Sequence, residues 1–180
     1  MSRSRTMTLS LFARFLALVF VLGAALGCIV TPDREYGGHG EVLSIGAHKP
    51  RILDKVVYTW SDGVNYEITP QEDGAKIAAV RARAVNLEST QVTLSIDAGA
   101  ATLNGMEGEA FAPFEPSTRH VETTEEPPED NPYGAHMWGR FQLRRGFEVA
   151  GWFFFEVPDG LEYSDFAWED VEFIRVPYPR

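Results

Sequence analysis

Apolar and polar positions alternate at period two through most of this chain. From Ile77 to Asn86, Ala78, Val80, Ala82 and Ala84 fall on one face and Arg81 and Arg83 on the other, as a half-buried strand requires. Val92, Leu94 and Ile96 alternate in the same way with Gln91, Thr93 and Ser95. Val42, Leu43 and Ile45 form a first short segment, and Ile52 to Trp60 is a β-branched and aromatic run. Ser61-Asp62-Gly63 predicts a hairpin turn into Val64–Ile68, and Glu72-Asp73-Gly74 a second turn. Pro158-Asp159-Gly160 closes a strand from Glu148 to Val157, and Val171–Val176 supplies a last one. Ala75–Arg83 contains good helix formers, but period two fits it better. Eight or nine short strands separated by frequent turns predict an all-β antiparallel sandwich or barrel.

Two stretches depart from this alternation. The strand from Glu148 is apolar on both faces: Val149, Gly151, Phe153, Phe155 and Val157 on one, Ala150, Trp152, Phe154 and Glu156 on the other. Such a strand is either covered on both sides or presents one face outward. Exposed, Trp152 and Phe154 with Trp138 would form a binding patch for an envelope protein or glycan. Covered, they would lie beneath the C-terminal segment Tyr163–Trp168 or the loop at about 113–135. That loop is the second departure, where Pro113, Pro116, Pro127, Pro128 and Pro132 punctuate Glu122, Glu125, Glu126, Glu129 and Asp130. It reads as solvated and mobile.

The N-terminus follows another plan. Arg3 and Arg5 precede an uncharged apolar run from Phe15 to Val30, which contains Ala24-Ala25-Leu26-Gly27-Cys28. A basic start, a short apolar helix and small residues at a cleavage point make a secretory signal. Sixteen residues fall short of the roughly 20 that span a bilayer core. The segment resembles a bacterial lipoprotein signal peptide, with Ala25-Leu26-Gly27-Cys28 as its lipobox. The resemblance implies that Cys28 is the first mature residue, carrying a diacylglyceryl thioether and an N-acyl chain. The chain would then be exported and lipid-anchored to the extracytoplasmic face of a bacterial membrane. A plain signal peptide cut near Ala25 and an uncleaved anchor helix are the competing readings, and both also export the rest. Residues 28–40, ending in Gly37-Gly38-His39-Gly40, read as a flexible tether, and 41–180 as the domain.

Composition sharpens this picture. In 180 residues, 44% hydrophobic content supports a packed core. Sixteen Lys and Arg against 26 Asp and Glu give a net charge of −10, which argues against nucleic-acid binding. Cleavage before Cys28 removes Arg3, Arg5 and Arg14 and no acid, leaving 13 basic against 26 acidic residues, a net of −13. Because Cys28 is the single cysteine, there is no internal disulfide.

Within the domain, Val80-Arg81-Ala82-Arg83-Ala84-Val85-Asn86 and Gly151-Trp152-Phe153-Phe154-Phe155-Glu156-Val157-Pro158-Asp159-Gly160 carry a second resemblance. They are similar to motifs of the telokin-like, immunoglobulin-like domains of exported bacterial lipoproteins, a family of unknown function. The resemblance spans roughly 41–180. It implies an immunoglobulin-like sandwich of seven or more strands behind a lipobox and tether. It brings no catalytic residues.

Candidate chemistry is sparse. His136-Met137, with Met106 and His120, could suit copper, although adjacent strand residues point to opposite faces. The acids of the 113–135 loop could collect around calcium, but they lack an ordered ligand loop. His39 and His48 read as solvent-facing or satisfied. No Gly-x-Ser-x-Gly elbow or catalytic cysteine is present. No catalysis and no cofactor are expected. Metal binding through His136, Met137 or the acidic loop is the alternative to a binding or structural module of the cell envelope.

Overall fold

The computed structural model describes residues 33–179, and Asp33 onward forms one unit. The signal segment, the lipobox with Cys28 and the start of the expected tether lie outside the described residues. Fourteen strands follow in chain order: β1 Glu35–His39, β2 Leu43–His48, β3 Arg51–Leu53, β4 Val56–Thr59, β5 Asn65–Ile68, β6 Ala75–Asn86, β7 Gln91–Ile96, β8 Ala101–Gly105, β9 Ala110–Phe111, β10 Val121–Glu122, β11 Gly139–Arg144, β12 Glu148–Pro158, β13 Tyr163–Trp168 and β14 Ile174–Pro177. Every strand pairing is antiparallel. The expected all-β sandwich is what forms, and no described helix is long and apolar enough to cross a membrane.

The central sheet has the order β1-β2-β6-β12, with β3 extending the β2 edge along β6. Pro50 lies in the break between β2 and β3, where its missing N–H cannot interrupt a ladder. Strands β6 and β12 pair over eleven residues, Glu148 opposite Val85 through Pro158 opposite Ala75. The two motif segments are therefore neighbours.

Alternation decides what each face of this sheet meets. Ala78, Val80, Ala82 and Ala84 of β6, with Phe153, Phe155 and Val157 of β12, share the main core with Leu94, Leu103, Phe166, Trp168 and Val176. Those partners come from the opposing β14-β13-β8-β9 and β11-β7 sheets. The small alanines leave room for the Phe153, Phe155, Phe166 and Trp168 rings, which meet at centroid distances of 5.6–6.4 Å. Asn86 ends β6 fully buried and satisfied: its amide donates to the carbonyls of Ser89 and Leu143, and its Oδ1 accepts from Ser89 N–H.

The other face of the sheet is covered too. Ile77, Ala79, Trp152 and Phe154 pack against Val56, Tyr58, Ile68, Phe114 and Tyr133 in a second core. This third layer consists of the β10-β5-β4 sheet and the 113–137 segment. The 113–135 loop is therefore not the free, solvated excursion its composition predicts. Pro113, Phe114, Pro116 and Tyr133 are buried, and residues 121–122 pair with β5. Both ends of the loop are pinned to β12. Phe114 N–H donates to the Phe154 carbonyl at 3.0 Å, Trp152 N–H to the Ala135 carbonyl at 2.9 Å and Met137 N–H to the Trp152 carbonyl at 3.0 Å. These bonds occupy an edge that would otherwise stay open to pairing with another chain. Gly151 is required for this closure, because a Cβ there would stand 2.9 Å from the Ala135 oxygen and 3.0 Å from the Met137 nitrogen.

Two further expectations change. The tether over 28–40 gives way at residues 35–39, which form β1 and pair in register with Ser44–His48, all of β2 but its first residue. Its glycines mark close packing here: a Cβ at Gly38 would lie 2.6 Å from the Arg175 oxygen. Tyr36 adds an edge-to-face contact with Tyr178 at 5.7 Å. The run from Ile52 to Trp60 divides into β3 and β4 at Asp54-Lys55, the first part serving the central sheet and the second the outer one.

A candidate aromatic and histidine cleft

The outer layer gathers four aromatic or imidazole side chains around Tyr58. The β4–β5 hairpin turns where predicted: Gly63 takes φ +81° and Asp62 Oδ1 accepts Val64 N–H at 2.9 Å. Strand alternation then puts Tyr58 and Trp60 on one face, with centroids 5.9 Å apart. The 113–137 loop supplies the histidines. His120 stacks on Tyr66 at 4.1 Å and 9°. Its Nδ1 is hydrogen-bonded to the Tyr58 hydroxyl at 2.6 Å. Burial first, then the nearby Tyr66 and Asp62, push the Tyr58 phenol above its ordinary range and keep it protonated. Asn131 holds the loop to the hairpin by donating to the Thr59 carbonyl and accepting Thr59 N–H, both at 2.9 Å.

His136 packs against the same cluster. Its ring meets Tyr58 edge-on at 4.5 Å, Trp60 at 4.9 Å and Phe154 edge-on at 5.5 Å. Neither ring nitrogen is water-accessible or makes a hydrogen bond of ordinary geometry. Burial pushes its pKa down to about 4; the Tyr133 carbonyl opposes the shift and His120 adds to it. His136 is therefore neutral near pH 7.

A cleft of about 460 Å³ opens beside it, lined by Trp60, Ser61, Glu115, Ser117, His136 and Trp138 among others. The size falls in the range of small-ligand sites, about 300–1,000 Å³. The four indoles divide into two pairs. Trp152 N–H donates to the Pro132 carbonyl and Trp168 N–H to the Asp170 carbonyl. Trp60 and Trp138 N–H have no protein acceptor among the described residues. Two larger clefts have no tryptophan in their lining. In one of about 620 Å³, Lys49 Nζ already donates to the Pro179 carbonyl. In one of about 790 Å³, Asp165 already accepts from Asn104, Ser164 and Arg175. Burial raises the Asp165 carboxyl, but these three donors hold it below its usual value.

The expected patch of Trp152, Phe154 and Trp138 is not a surface. Trp152 is 5% and Phe154 1% exposed, because Tyr133 sits against both rings and Phe114 stacks on Phe154. Trp138 alone of the three lines a cleft. His136 and Met137 do not converge: Met137 is buried in the main core and His136 faces the outer layer. Among the described residues no three His, Cys, Asp or Glu side chains gather closely enough to hold a metal ion. The loop acids are dispersed, Glu125 pairing with Lys55 and Glu122 lying in β10. His39 is exposed on β1, and His48 faces Asp33 and Glu35. Glu115, Ser117 and the Tyr58–His120 bond had no sequence signal, whereas Trp60 and Ser61 stood in the sequence only as the end of a β-branched and aromatic run and the start of a turn.

No family model matches the chain, and no curated protein matches it. Among solved structures it is similar to a Bacillus subtilis protein, ycdA, described as a candidate lipoprotein, with 14% identity and a TM-score of 0.43. The match covers 77% of this chain and 34% of that one, so the chain spans about a third of that protein's length.

Proposed function

We propose that this chain is a lipid-anchored, extracytoplasmic binding module of the bacterial cell envelope, without catalysis of its own, whose binding site is the cleft between Trp60 and Trp138. The binding half rests on one observation: two indoles whose N–H groups have no acceptor among the described residues line a small-ligand-sized cleft, while no tryptophan lines the larger clefts. The anchor half rests on Cys28, the sole cysteine, at the end of an apolar run behind Arg3 and Arg5. At about 0.8 kcal/mol per buried CH₂, one acyl chain binds a membrane marginally and several bind it firmly. A net charge of −13 after cleavage is repelled by anionic lipid, so attachment falls to the lipid. The telokin-like, immunoglobulin-like reading of the body rests on the β6 and β12 motifs.

The anchor is tested by metabolic labelling of the full chain with a fatty-acid analogue in a bacterial host. Labelled wild type and unlabelled Cys28→Ala, which accumulates with its signal uncleaved, are expected. An unlabelled wild type refutes lipidation.

A further inference from the structure

We propose that the cleft takes a neutral saccharide, one sugar ring lying on an indole face with its hydroxyls bonded to the cleft's polar groups. This deepens the binding-module reading and is independent of the anchor.

The unmet groups choose the ligand class. Trp60 and Trp138 bring two N–H donors. Glu115 brings a carboxylate that accepts from Ser117 Oγ at 2.6 Å and keeps further lone pairs. Ser61 can donate or accept, and Ser117, whose O–H goes to Glu115, can still accept. Neutral His136 packs behind them, its ring nitrogens closed off from the cleft. A ligand suited to this set must donate and accept several times within a small volume while showing an apolar face to the rings. A sugar does both, because its axial C–H groups form an apolar face and its hydroxyls a rim of donor–acceptor groups. A quaternary ammonium would suit the rings but leave every N–H unmet, at the cost of desolvated donors. An anion would accept from the indoles, but no Lys or Arg lines the cleft. Glu115 and the net charge of −10 oppose it. A hydrocarbon would leave all the polar groups unsatisfied.

The site is also built to keep its shape. Trp60 is backed by Tyr58, His120 and His136. The loop bearing Glu115, Ser117 and Trp138 is held at both ends by its bonds to β12. A preformed site spares the ordering cost that weakens small-ligand binding.

The experiment is a titration of the full chain, ¹⁵N-labelled and held in polyoxyethylene detergent, with chitotriose, maltotriose and cellotriose in turn, following the four indole N–H resonances. At least one sugar is expected to shift the Trp60 and Trp138 signals saturably and leave Trp152 and Trp168 in place. Trp138→Ala should weaken that binding at least about tenfold, the effect of removing an aromatic anchor. Ser117→Ala, an exposed change, should weaken it severalfold with an unchanged melting temperature. If no sugar moves the two signals up to about 10 mM, ten times a millimolar dissociation constant, the proposal is overturned. It is equally overturned if tetramethylammonium moves them and the sugars do not, or if Trp138→Ala and Ser117→Ala both bind like wild type. An unacylated chain that binds sugar removes the anchor alone; an acylated chain that binds none removes the saccharide site alone.

Discussion

Replacing Phe154 with alanine separates a three-layered molecule from a two-layered sandwich with an aromatic outer face. Phe154 is 1% exposed beneath the loop that its own backbone carbonyl helps to pin. Its ring has neighbours on several sides: Phe114 and Tyr133 at 6.3 Å and His136 at 5.5 Å. Truncation removes the transfer free energy of the ring and leaves a cavity that these rings cannot close without moving the pinned loop. Buried Phe→Ala changes cost about 3–5 kcal/mol. For a body of this size that lowers the melting temperature by roughly 6–20 °C. Were the face open to solvent, the same change would stay within about 0.5 kcal/mol. The assay is urea unfolding followed by tryptophan fluorescence. Phe173→Ala serves as control, because Phe173 is 69% exposed and should change stability by less than about 0.5 kcal/mol. Phe154→Leu keeps most of the volume and should lose about 1–2 kcal/mol, preserving a folded comparison. A Phe154→Ala variant as stable as Phe173→Ala would refute the covered face.

The remaining predictions concern titration and one carboxylate anchor. His136 has a folded pKa of about 4 against an ordinary 6.5, so the unfolded chain binds its proton first. Its contribution is therefore complete above pH 6.5 and is lost as pH falls towards 4, by up to about 3 kcal/mol. Stability measured at pH 7 and pH 4 should drop less in His136→Phe than in wild type; equal drops would refute the assignment. Glu172 accepts backbone N–H groups of Glu41, Val42 and Leu43 at 2.8, 3.0 and 2.5 Å, fixing the β1–β2 turn. Glu172→Ala should cost about 1.5–3 kcal/mol and accelerate hydrogen exchange at those three amides; unchanged exchange would show that the carboxylate does not hold the turn.

The legible part of this molecule was its local grammar. Alternation in β6 and β7 placed their core faces, and Ser61-Asp62-Gly63 and Glu72-Asp73-Gly74 marked turns that do form. Such patterns are readable because side-chain direction in a strand depends only on the neighbouring residue. The apolar run before Cys28, on which the proposed export rests, was legible in the same local way. The errors had a common cause. Gly37 and Gly38 read as tether because glycine is flexible in isolation, yet both lie in β1, and the missing side chain of Gly38 admits β14. The prolines and acids of 113–135 read as a solvated loop, but Phe114 and Tyr133 among them were enough to bury one side of it.

The sequence by itself determined the fold class, the strand faces and the double-sided apolar character of β12. Tertiary structure alone decided what lay over that second face, because coverage depends on contacts between residues about twenty to a hundred positions apart. It took Trp152 and Phe154 out of solvent and sent Met137 away from His136. In their place it brought Trp60, from a hairpin tip, and Glu115, Ser117 and Trp138, from the two ends of one loop, to the walls of a single cleft.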